Sequence, residues 1–198
     1  VTIRKWMYLF ISTLIVGGAA ALVTGFAIGF KEYTGLIASG EILQLLSVIV
    51  WMIGLGLMFS VLSQMGFFAY LTVHRFGLGL FRSVSLWNAV QLVLTAFVLF
   101  DLIYLRYTAF ASEGASLGPY VVPALLLLAY GLVIAYVKMK QTNRGAFVPA
   151  LFFMTVVTII EWFPALRQND QDWMYLMLFP LLASNTWQLL LLHRLNVK

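Results

Sequence analysis

Cysteine is absent from the 198-residue chain, histidine occurs twice, and only 19 residues carry a charge. Without cysteine there is no disulfide framework, no thiolate metal site and no thiol nucleophile. Two histidines fall short of a metal cluster, so neither a metal nor another cofactor is expected. A soluble domain carries roughly 25% charged residues, and this chain has 10% with a 63% hydrophobic share. Polar groups are too few to coat a water-exposed surface, so a soluble fold is excluded. A bilayer crossing takes about 20 apolar residues. Six crossings use up most of the length and leave no room for a separate catalytic or sensor domain.

The apolar runs define those crossings. They cover residues 6–30, 42–73, 84–105, 119–137, 147–166 and 173–192, which predicts an all-α, polytopic bundle of six transmembrane helices forming one integral-membrane domain. The first run competes with a cleavable signal peptide, because Ala19, Ala20 and Ala21 mimic a cleavage site. At about 25 residues it exceeds the usual signal core, so a retained helix is expected. The second run has 32 residues and would be about 48 Å long as a helix. It must tilt, protrude or break, and Ser63-Gln64-Met65-Gly66 is the expected break.

Charge sorts the connections by side. The segments that alternate spans place with the amino terminus hold Arg4, Lys5, Arg75, Arg82, Lys138, Lys140, Arg144, Arg194 and Lys198, and no acid. The opposite segments hold Lys31, Arg106 and Arg167 with all seven acids. By the positive-inside rule both termini face the cytoplasm. The basic face favours anionic lipid headgroups of the bilayer and gives no evidence for nucleic acid.

In lipid, close backbone approach and polar pairing hold helices together. Thr13, Gly17, Ala21, Gly25 and Gly29 repeat every four residues and form a groove, either for packing inside the bundle or for a partner's transmembrane helix. Gln64, Asn88, Gln91, Asn185 and Gln188 gather toward the inner half of their spans. They act as interhelical hydrogen-bonding glue or line a polar cavity. Asp101 and Glu161 are the acids inside the spans, four or five residues from the outer end, where a carboxylate reaches water. They would pair with arginines or form an outer cation or ligand site. No nucleophile stands beside a base and no phosphate-cradling loop occurs, so an enzyme is not expected.

Three stretches carry a resemblance: SQMGFFAYLTVHRFGLG from Ser63 to Gly79, LWNAVQ from Leu86 to Gln91, and FDLIYLRY from Phe100 to Tyr107. With the length and six-span layout, the chain resembles the KinB-signalling pathway activation (KbaA) family of spore-forming bacilli. That resemblance implies a multi-pass protein of the bacterial plasma membrane. It would activate a membrane-bound sensor histidine kinase feeding the sporulation phosphorelay, without transferring phosphate itself. The family supplies no catalytic residues. The contact candidates are Gly17, Ala21, Gly25 and Gly29 on the first span. His74, Arg75, Gly77, Gly79 and Arg82 join them from the cytoplasmic hairpin Val73–Ser85. The alternative is a small-solute or ion permease using the amide cluster.

Overall fold

The computed structural model describes residues 2–196, so Lys198, counted above among the basic residues, lies outside them. Apolar runs with few breakers become helices: α1 Ile3–Ile28, α2 Phe30–Ser39, α3 Ile42–Phe81, α4 Val84–Phe110, α5 Gly118–Gln141, α6 Phe147–Phe152, α7 Thr158–Gln168 and α8 Gln171–Asn196. A π-helical stretch, Phe153–Val157, joins α6 to α7. Among the described residues there is no strand. Among the same residues, six helical segments are long and apolar enough to cross a membrane, with α6, the π-stretch and α7 counting as one.

The expected break in α3 does not occur: the helix runs unbroken for 40 residues, or about 60 Å. Ser63 and Gln64 are buried rather than exposed at a kink. Gly66 is there for space, since a Cβ on it would strike the carboxylate of Glu161. The hairpin expected over 73–85 is likewise almost all helix, with only Arg82 and Ser83 between α3 and α4. Ser83 caps α4, its Oγ accepting from the Leu86 amide at 3.3 Å. The helix α2, between the first two spans, was not anticipated.

The chain divides into two compact units, Val1–Met65 with Arg167–Lys198, and Gly66–Leu166. In the first, α1 packs along α8. Lys5 Nζ donates to the Leu195 carbonyl at 2.8 Å, and Trp187 Nε1 donates to Ser12 Oγ at 2.9 Å. In the second, α5 packs against α6 and the π-stretch. A Cβ on Gly131 of α5 would come within 2.9 Å of Thr155 Cγ2, so a glycine makes room for the widened turn. Thr155 Oγ1 donates back to the Leu151 carbonyl at 2.7 Å, at the point where the π-turn disturbs the ordinary ladder.

Candidate functional site

In the first unit the small-residue stripe is filled from within the chain. A Cβ on Gly17 would collide with Ser60 Oγ and lie 2.8 Å from Ser184 Oγ. One on Gly25 would lie 2.6 Å from Met52 Sδ. From the α3 side, a Cβ on Gly56 would stand 2.7 Å from both the Gly18 Cα and the Ala21 Cβ. Gly17, Ala21 and Gly25 thus face α3 or α8, and Gly29 faces the ring of Tyr33.

Three of the five amides lie in this unit, and the polar groups beside the stripe are knitted together. Ser60 Oγ donates to the Thr13 carbonyl at 3.1 Å and lies 3.1 Å from Ser184 Oγ. Ser63 Oγ donates to Asn185 Oδ1 at 2.6 Å and accepts from Gln188 Nε2 at 2.6 Å. The same Nε2 reaches the Ser184 carbonyl at 3.2 Å. Gln64 is buried nearby in sequence.

The second unit holds the other two amides, Asn88 and Gln91, and Gln91 meets a larger hydroxyl. Tyr70 donates to the Pro149 carbonyl at 2.8 Å and accepts from Gln91 Nε2 at 3.3 Å. Its ring stacks on Phe152, 5.8 Å between centroids, and leans on Phe153. One turn further along α3, His74 Nδ1 accepts from Trp87 Nε1 at 3.0 Å. That bond requires an unprotonated Nδ1 and puts the neutral ring's proton on Nε2. Phe81 stacks on Trp87 at 5.5 Å, and a Cβ on Gly77 would press 2.5 Å from the indole. The indole is therefore clasped by α3 over two turns, which makes the α3–α4 corner rigid.

What that corner presents outward is a mixed surface. Arg75, Gly79 and Arg82 are exposed, with Phe76 and Leu80 exposed to 70% and 64%. Gly79 meets nothing within 4 Å. Arg82 adopts φ +51°, the left-handed conformation that glycine usually fills at a helix end.

The two acids part company. Asp101 is half-buried on α4. Glu161 is 4% exposed and its carboxylate sits over Gly66, so the expectation that it reaches water is corrected. The helices enclose it because the glycine opposite leaves space for it. Arg106, also buried, places its guanidinium 5.6 Å from the centre of the Tyr120 ring.

The bonds that Tyr70, Trp87 and Ser63 make were not foreseen from sequence, where Ser63 stood in the expected break, and Pro149 and Ser184 were not singled out. The four-residue spacing of Tyr70 and His74 was the available signal for the first, since it sets both on one helix face.

Comparison with known proteins adds two findings. The family described as KinB-signalling pathway activation in sporulation, KbaA, matches residues 17–195. The chain is 51% identical over 195 residues to a KinB-signaling pathway activation protein of Bacillus subtilis (strain 168), covering 98% of each. No solved structure matches.

Proposed function

The chain belongs to the KbaA family of KinB-signalling pathway activation proteins, and from that premise we propose that it is a non-enzymatic membrane activator of a KinB-type sensor kinase pathway. It resides in the plasma membrane with both termini and the α3–α4 corner on the cytoplasmic side, and it acts by contact with the kinase. The observation that carries this reading is the corner itself. A clasped tryptophan holds Arg75, Phe76, Leu80 and Arg82 outward on a stiff support, so little ordering entropy is lost when a partner docks. Such a contact raises the active fraction of the kinase only by binding its active state more tightly than its resting state. The small-residue stripe supports the fold rather than the partner in this reading, because α3 and α8 already fill it. Gln91, Asn185 and Gln188 each make a side-chain bond within the chain, which favours packing glue over a permeation path for these three amides.

The absence of cysteine makes site-specific crosslinking clean. A single cysteine at Phe76 or Leu80, carrying a photoactivatable group in native membranes, is expected to capture the KinB-type kinase. The same label at Val50, exposed in the first half of α3, is expected to capture none. Equal capture from both positions, or none from either with the kinase present, rejects the corner as the contact.

A further inference from the structure

The hydrogen-bond chain of the second unit has a fixed direction. A backbone carbonyl only accepts, so the hydroxyl proton of Tyr70 is committed to Pro149 at 2.8 Å. The Tyr70 oxygen must then accept from Gln91, which assigns the NH2 of that amide to the side facing Tyr70. Oε1 of Gln91 consequently points elsewhere. Gln91 is 0% exposed, and this oxygen accepts no hydrogen bond from the described residues. Asn88 stands three residues earlier on α4, and its Oδ1 is buried with no donor among the described residues either. Residues three apart on a helix share a face, with Cβ atoms about 5–6 Å apart.

A buried amide oxygen left dry costs about 1–3 kcal/mol, and α4 carries two on one face. What would satisfy both must donate two hydrogen bonds and span a gap of a few ångströms. An anion has nothing to donate and would meet lone pairs. We propose that Asn88 Oδ1 and Gln91 Oε1 together hold one internal water molecule, which donates a hydrogen bond to each. Buried waters serve groups of this kind, provided two or more polar partners converge. The water extends the polar chain to four members, running from water through Gln91 and Tyr70 to the Pro149 carbonyl. It ties α4 to α3 and to α6 beneath the tryptophan clasp.

Water-edited solid-state NMR on the full chain in lipid nanodiscs tests this directly. The Gln91 side-chain amide is assigned by its disappearance in Gln91→Met. In the wild type, polarisation from water is expected to reach that amide severalfold faster than it reaches the buried ring of Phe153. In Asn88→Leu the rate should fall toward that of Phe153. A wild-type rate no faster than Phe153 overturns the site, and so does an Asn88→Leu rate equal to wild type. A cross-peak from added 15N-ammonium to Gln91 would assign the pocket to a cation and overturn water as the occupant. Should Asn88→Leu fail to fold, the wild-type rate alone decides.

Discussion

The two units use the same polar device at different scale. In each, a hydroxyl on α3 donates to an oxygen and accepts from a glutamine: Ser63 between Asn185 and Gln188, Tyr70 between Pro149 and Gln91. The serine is short, and its partner helix has to come close. The first unit accordingly presses backbone to backbone at Gly17, Gly18 and Gly56. The tyrosine reaches further, and the second unit fills its spacing with Phe67, Phe152 and Phe153. Close approach leaves no slack. Aromatic spacing leaves some, but it places the burden on single rings.

That contrast predicts where substitution does most harm. In Gly56→Val the new Cβ meets the Gly17 carbonyl at 2.5 Å and the Gly18 Cα at 2.7 Å. Those are backbone atoms that cannot rotate away. Overpacking ordinarily costs about 1–3 kcal/mol, and a rigid backbone contact puts this change at about 3 kcal/mol or beyond. Thermal unfolding in detergent should show the largest drop of the set, or no monodisperse protein. Gly77→Ala is the counterpart in the second unit. There the obstacle is the Trp87 indole, pinned by His74 and Phe81, but it is a side chain and can tilt. A loss of about 2 kcal/mol is expected, together with a red shift of tryptophan emission as the clasp opens. Equal losses for the two glycines would break the distinction between backbone and ring contacts.

The hydroxyls themselves separate the units further. Tyr70→Phe strips Gln91 of the side-chain bond to its NH2 while that residue stays fully buried. The expected cost is about 1–2 kcal/mol. Ser63→Ala removes the donor to Asn185 Oδ1 but leaves Gln188 its bond to the Ser184 carbonyl, so about 1 kcal/mol is expected. A chemical-denaturation series on both variants orders them, and a larger loss for Ser63→Ala would mean that the Asn185 bond outweighs the tyrosine chain.

Which of these features sequence could reveal follows from how far apart the partners are. Hydropathy is summed over neighbours, so the six apolar helices were legible to within a turn at most ends. The four-residue repeat from Thr13 to Gly29 announced a close approach for the same reason, since spacing along one helix is local information. Gly66 misled because a glycine in a long run reads as a breaker. Its role depends on Glu161, 95 positions away, and no window contains both. Tyr70 and Pro149 are separated by 79 positions, and the π-stretch after Pro149 has no composition of its own. The amides were found as polar exceptions in apolar spans, but which hydroxyl each would serve was hidden until the helices were placed.

The smallest expected change in stability carries the most about function. Among the described residues, the two left-handed turn residues that are not glycine, Arg82 and Asn169, connect helices, one in each unit. Asparagine tolerates that conformation, whereas arginine does so at a cost of about 1–2 kcal/mol relative to glycine. Arg82→Gly should therefore stabilise the α3–α4 corner by up to about 1 kcal/mol, the gain being offset in part by the freer unfolded chain. If the corner served the fold alone, signalling would be kept or improved along with stability. If its exposed charge meets a partner, the stabler protein should restore sporulation less well than wild type in a strain lacking its own copy. Stability and signalling moving in opposite directions would assign Arg82 to contact, and their rising together would return the corner to a purely structural role.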